Sequence, residues 1–194
     1  ELFSNLPLKE ASRKRLGLRG DEFIFLCLAI FLPHRRFEDV IFALKKNAKL
    51  LIVGSPSYDR KYSQFIINLI KKKRMEKFVD VRFGYLTEKE KVDYLVSADA
   101  FIFPNEKQTW GLTVIEAMAA GTPCIVSTGA GVHEVIKDGD NGVLFEVRNI
   151  EMLREKMELV YKDKSLREGM AKRGRKFVFN NSSWDQYSPN CQKK

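Results

Sequence analysis

The sequence predicts an α/β fold, a Rossmann-like parallel sheet of about six strands with helices on both faces. Three observations predict it. Short apolar runs alternate with segments whose apolar residues recur at helical spacing along most of the 194 residues. The first run, residues 23–31, is almost continuously apolar, as a strand buried on both faces has to be. The composition, 44% hydrophobic and 30% charged, is that of a globular domain with its own core.

Each element follows in order. After residues 23–31, Phe37, Val40, Ile41 and Leu44 repeat with helical period. Residues 50–53 read as a second buried strand, closed by Gly54-Ser55-Pro56. Tyr62, Phe65, Ile66, Leu69 and Ile70 form one apolar helix stripe, and residues 79–83 a third strand. Thr87 with Glu90 three residues on is a capping box, opening a helix whose inner face is Val92, Leu95 and Val96. Residues 100–103 are the fourth strand, followed by a helix that carries Glu116. Residues 123–126 are the fifth, followed by Gly129-Ala130-Gly131, a short helix over 132–137 and a turn over 138–142. The sixth is residues 143–145; Ile150, Leu153, Met157 and Val160 then mark a helix, and residues 166–179 another. Residues 1–20 are expected to be linker, 21–180 the domain, and 181–194 a polar tail, termini being where disorder concentrates.

Bulk properties narrow the function classes. No run of about 18 apolar residues is present, so no membrane-spanning helix is expected. The first residues lack the apolar centre of a secretory leader, and without an initial Met the chain reads as a piece of something longer. Of the three cysteines, Cys27 and Cys124 lie in strands and Cys191 in the tail. That pattern suits two small buried hydrophobes and a free thiol, hence a cytoplasmic setting, rather than a disulfide. His34 and His133 are the only histidines, so no histidine metal cluster is expected. The net charge of +9 can attract phosphorylated ligands or the anionic surface of a membrane, and reads most simply as a solvated lysine-rich surface. Nucleic acid is not an expected partner, because no recognition motif accompanies the charge.

The segment richest in chemistry is residues 105–121, NEKQTWGLTVIEAMAAG. It sets a polar loop, Gly111 and the start of an apolar helix directly after the fourth strand. A helix start leaves backbone N–H groups unpaired and carries partial positive charge. Gly111 lets a ligand approach that backbone closely, so the segment is suited to a phosphate. Glu116 offers a carboxylate that could accept hydrogen bonds from both hydroxyls of a ribose. Leu112, Ile115 and Ala119 are expected to face the core, and Thr113, Glu116, Ala117 and Ala120 a cleft. Trp110 is read as core in preference to a lid over the ligand. Asp138-Gly139-Asp140 superficially matches a metal-binding pattern but sits in a D-G-D-N-G run whose residues serve turn backbone. In parallel sheets ligands bind beyond the carboxyl ends of the strands, at the switch in strand order.

Residues 108–123, QTWGLTVIEAMAAGTP, resemble the signature of the retaining group 1 glycosyltransferases of the GT-B fold. That signature carries two glutamates separated by seven residues and then E-A-M-A-x-G-x-P. Residues 129–136 (GAGVHEVI) and 138–144 (DGDNGVL) resemble two further segments of the family, and residues 97–104 its S-A-D-x-F-x-x-P motif. The likeness spans roughly residues 20–180. It implies one half of a GT-B fold, the C-terminal half that binds the nucleoside-diphosphate sugar donor, with a missing N-terminal domain contacting the acceptor. By the same resemblance Glu116 would bind the ribose hydroxyls. Backbone amides of Gly111, Leu112 and Thr113 would hold the distal phosphate, and Tyr85 and Leu86 would lie where the nucleobase rests.

Two positions depart from the family pattern. Gln108 replaces the first glutamate, which in the family touches the transferred sugar; an amide keeps hydrogen-bonding capacity and loses charge. After the first strand the family commonly has G-R, with a lysine five residues on, where this chain has Ala29-Ile30 and then Arg35. Arg35, and with it Arg36, is assigned to stabilising the leaving diphosphate, since a guanidinium is always charged and can grip it with two hydrogen bonds. The resemblance implies no metal or redox cofactor, and the isolated domain is expected to transfer negligibly. Other readings are a sugar-nucleotide epimerase or phosphorylase of the same architecture, or a degenerate, non-catalytic nucleotide-binding module.

Overall fold

Alternate residues of the first strand serve two different cores. In β1 (Ile24–Leu28), Phe25 and Cys27 are buried among side chains on one side of a sheet, and Ile24 and Leu26 among those on the other. This period of two, with apolar residues at both phases, places the strand in the middle of a three-layer sandwich. The computed structural model describes residues 2–56, 60–107 and 110–181. Its six-stranded parallel sheet also contains β2 (Lys49–Gly54), β3 (Val79–Phe83), β4 (Ala100–Phe103), β5 (Cys124–Ser127) and β6 (Val143–Phe145), in the order β3-β2-β1-β4-β5-β6. The order reverses between β1 and β4, which defines the switch point.

Helices cover both faces. α2 (Phe37–Ala43), α3 (Arg60–Lys72) and α6 (Ile150–Lys162) bury Val40, Ile41, Ile66, Leu153 and Met157 against one face. On the other face, α4 (Glu88–Ser97) and α5 (Leu112–Ala119) bury Leu95, Val114, Ala117 and Met118. The expected capping box opens α4: Thr87 Oγ1 accepts from Glu90 N and the Glu90 carboxylate accepts from Thr87 N. α7 (Lys164–Asn181) closes the domain, and its Arg175 Nη2 donates to the carbonyl of Phe3 at 2.9 Å.

Three expectations need correction. The first twenty residues are not simply linker. They contain α1 (Lys9–Arg15), which packs on α4 and buries Ser12 and Arg13. Arg13 donates to the carbonyls of Ser97, Gly20 and Glu22 and to Asp99, while Asp99 also accepts from Ile24 N at 2.7 Å and Lys9 Nζ at 2.6 Å. A buried guanidinium with every hydrogen bond to protein is a fixed structural part. The first strand ends at Leu28 rather than residue 31, although Ala29 N and Phe31 N still donate to Val53 and Ser55 carbonyls as the chain leaves the sheet. Residues 132–137 do not make an α-helix; a 3-10 stretch, Gly131–Val135, takes their place. The turn over residues 138–142 is structural: Asp138 Oδ1 accepts from Leu144 N, and Asn141 joins Lys137 N to the Val135 carbonyl.

Candidate donor site at the switch point

α5 begins at Gly111, whose φ of 77° is left-handed, and among the described residues no side chain caps the helix start. Glycine is needed there twice over. A left-handed φ disfavours any Cβ, and a Cβ at this position would stand 2.8 Å from Val132 Cγ1 and 3.2 Å from Phe103 Cε1. Val114 N closes the first turn on the Gly111 carbonyl at 2.8 Å, while the amides before it point along the axis, where helix starts attract anions.

Phe103, at the carboxyl end of β4, connects this helix start to the loop after β1. The Arg35 guanidinium lies 5.9 Å from the centre of the Phe103 ring, the same ring that flanks Gly111. Arg35 ends a 3-10 turn, Pro33–Arg35, and burial draws its pKa below the ordinary arginine value. An arginine so placed still carries its charge at neutral pH. The two loops are joined directly, since Glu106 N donates to the His34 carbonyl at 2.9 Å. The His34 pKa lies below its ordinary value, through burial first and then the nearby Arg35 and Lys107 charges. On the β5 side, Ser127 Oγ donates to the Asn105 carbonyl and accepts from Gly129 N, and a Cβ on Gly129 would lie 2.7 Å from the Asn105 oxygen. The loop after β4 is thereby clamped between its neighbours.

Arg36 is occupied differently. Left-handed at φ 52°, it pairs with Asp39 at 2.8 Å, Glu38 at 3.0 Å and Glu106 at 3.8 Å. Those carboxylates largely neutralise it, whereas Arg35 lies against Phe103 at the end of β4. Tyr85 is 83% exposed and Leu86 half-buried in the loop after β3. Gln108 lies outside the described residues.

Glu116, one turn into α5, does not extend into bulk water: its side chain is 25% exposed and accepts a 2.6 Å hydrogen bond from Lys91 Nζ in α4. Lys91 also pairs with Glu88 at 2.9 Å. Burial alone would lower the pKa of Lys91, but its hydrogen bonds to Glu116 and Glu88 outweigh that and hold it above the usual lysine value. Sequence reading missed Lys91, for no periodicity or motif links a residue of α4 to one of α5. It also misjudged the faces of α5. Leu112 is 54% exposed and Trp110 45% exposed, neither of them core, while Ala117, expected in the cleft, is fully buried beside Val114 and Met118. Among the described residues, no group of three or more His, Cys, Asp or Glu could hold a metal ion, and no helix is long and apolar enough to cross a membrane.

The fold defines a doubly wound α/β domain, with the start of α5 and the Arg35 turn meeting at Phe103 beside the switch in strand order. The chain belongs to the glycosyl transferases group 1 family, whose profile matches residues 9–177 and so includes α1. It is 32% identical over 173 residues to N-acetyl-alpha-D-glucosaminyl L-malate synthase of Bacillus anthracis, a match covering 86% of this chain and 43% of that protein. Sucrose-phosphate synthase of Thermosynechococcus elongatus superposes with a TM-score of 0.85 at 24% identity, over 96% of this chain and 47% of its own. Anabaena HepE, solved in complex with UDP-glucose, superposes with a TM-score of 0.80 at 17% identity, over 89% and 48% respectively. The chain therefore spans about half the length of these relatives.

Proposed function

We propose that this chain binds a nucleoside-diphosphate sugar at the switch point and presents it for retaining transfer of the glycosyl group to an acceptor hydroxyl. The observation that carries the reading is the uncapped start of α5 at Gly111, with Arg35 across the Phe103 ring and Glu116 one turn along the helix. In this reading the amides of Gly111, Leu112 and Thr113 hold the distal phosphate and the Glu116 carboxylate accepts from the ribose hydroxyls. Tyr85 and Leu86 border the base. Membership of the family and the UDP-glucose complex of HepE support it.

The chemistry asked of the domain is electrostatic. As the bond from the anomeric carbon to the diphosphate lengthens, negative charge grows on the leaving oxygen. Fixed amide dipoles and the Arg35 guanidinium stabilise that charge without reorganising, which is how a preorganised site lowers a barrier. Holding the sugar in one orientation toward the acceptor contributes the rest. We assign Gln108 to the transferred sugar, where its amide can donate and accept without placing a negative charge near the anomeric centre. Acceptor contacts belong, in this reading, to a part of the enzyme outside these 194 residues, and these residues alone bind donor and transfer negligibly.

Calorimetry with UDP, GDP and their sugars tests the reading. Glu116→Ala should weaken the bound nucleotide by about tenfold to a hundredfold, the loss expected for hydrogen bonds to a charged acceptor. Undiminished binding in that variant would remove the site from α5.

A further inference from the structure

Glu116 is held by a residue that no sequence signal links to it. Lys91 Nζ lies 2.6 Å from Glu116 Oε1, and the two side chains are only 17% and 25% exposed. Lys91 stands in the first turns of α4, five residues after Leu86, so the ion pair joins the helix that follows the Tyr85-Leu86 loop to the helix that begins at Gly111. A nucleoside diphosphate bound as proposed would span those same two elements, base near the first and phosphate at the second.

We propose that Lys91 is a positioning residue for nucleotide recognition: it fixes the Glu116 carboxylate in the orientation that accepts the ribose hydroxyls. This rests on the donor-binding reading above. The geometry gives the carboxylate a division of labour. Oε1 is taken by the ammonium, which pins the χ angles of a side chain that would otherwise sample several rotamers. The remaining lone pairs, chiefly on Oε2, are left for the sugar, since an ionised carboxylate has about four acceptor sites. The Lys91 charge is itself steadied by Glu88 at 2.9 Å, so it does not have to be drawn from solvent when the ligand arrives. A lysine acting only as a surface tie would affect all ligands alike. One that orients Glu116 affects those that have a ribose 2′-hydroxyl.

The test compares UDP with 2′-deoxy-UDP, and GDP with 2′-deoxy-GDP, by calorimetry on the wild-type chain and on Lys91→Met, Lys91→Arg, Glu116→Ala and the Lys91→Met/Glu116→Ala double variant. The wild-type chain is expected to prefer the ribonucleotide by about tenfold or more, as for a hydrogen bond to a charged group. Lys91→Met should bring that ratio close to one, and Lys91→Arg should restore most of it. The double variant should bind no more weakly than Glu116→Ala alone, the non-additivity expected of residues acting through one another. A Lys91→Met chain that keeps the wild-type ratio, or losses that simply add in the double variant, overturns this role for Lys91 and leaves the donor reading standing. A wild-type chain that binds neither UDP nor GDP overturns both.

Discussion

At the scale of single residues, the proposed site rests on positions where the backbone leaves little choice. Gly111 combines a left-handed φ of 77° with a Cβ site already filled by Val132. Gly111→Ala should therefore lower stability by about 1–3 kcal/mol, the usual cost of forcing a non-glycine into a sparsely populated region, and weaken nucleotide binding further by shifting the first amides of α5. A Val132→Ala background carries its own cavity cost, because Val132 is fully buried. In that background Gly111→Ala should cost less, and the difference between the two costs, read from denaturant melts of the single and double variants, is the part due to the clash. Equal stability of wild type and Gly111→Ala would contradict the argument. The helix start at Gly111 was legible in the sequence because a strand, a glycine and an apolar helix in succession have one geometric meaning. Lys91 was not legible, since an ion pair between side chains 25 residues apart depends on how two helices lie together. Trp110 and Leu112 misled for a related reason: large apolar side chains left exposed beside a helix start look, in sequence, like core.

At the scale of elements, the strands were read closely because five are mostly apolar runs and β3, VDVRF, alternates with period two, and three of the six have the predicted bounds. α1 escaped because its attachment is polar. Its sequence, KEASRKR, offers no apolar stripe, and the residues it buries are Ser12 and Arg13. Ser12 Oγ donates to Asp93 Oδ1 at 2.9 Å, and Arg15 grips the same carboxylate. The Arg15 hydrogen bond, opposed by burial and helped by Ser12, holds the Asp93 pKa below the ordinary aspartate value. The sign follows. A carboxylate with a lower pKa in the folded than in the unfolded chain contributes stability above the unfolded value near 3.8, and loses it as pH falls through the folded value. Asp93→Asn should then lower the melting temperature at neutral pH by about 2–4 °C, corresponding to about 1 kcal/mol in a domain of this size. The gap to wild type should shrink as the solution is acidified below about pH 4. A gap constant from pH 7 to pH 3 would mean that α1 is held by something other than this carboxylate.

At the scale of the whole molecule, the sheet puts different surfaces at its two edges, and only one is suited to a nucleotide. A hollow of about 560 Å³ opens at the amino edge, beneath the starts of β1, β2 and β3, lined in part by Lys46, Lys49, Lys77, Phe78 and Tyr161. By volume and charge it would be a natural place to look for an anionic ligand. Yet its lysines are partly engaged already: Lys49 Nζ donates to the Lys77 carbonyl, and Lys46 lies over the Phe78 ring. Its lining holds no helix start among the described residues, and its carboxylates, Asp21 and Glu22, stand among those lysines, with Asp21 paired to Arg19 at 2.8 Å. The carboxyl edge has the chemistry the proposed reading needs, because fixed amides and a half-buried guanidinium need little ordering when the ligand binds. Strands of five or six residues separate the edges by about 17–20 Å, roughly two Debye lengths at physiological salt. Charge changes at one edge are thus largely screened from the other. The double substitution Lys49→Glu/Lys77→Glu should leave UDP or GDP affinity within about twofold of wild type at 0.15 M salt. Arg35→Ala, at the carboxyl edge, should weaken it by about tenfold or more, the scale of a charge-assisted contact to phosphate. At low salt, where the Debye length grows to about 30 Å at 0.01 M, the lysine double variant should begin to bind more weakly as the overall field of the +9 chain is felt at the site. If the lysine variant instead lost binding at 0.15 M salt while Arg35→Ala kept it, the nucleotide would sit at the amino edge, and the shape of the hollow rather than the switch point of the sheet would have located it.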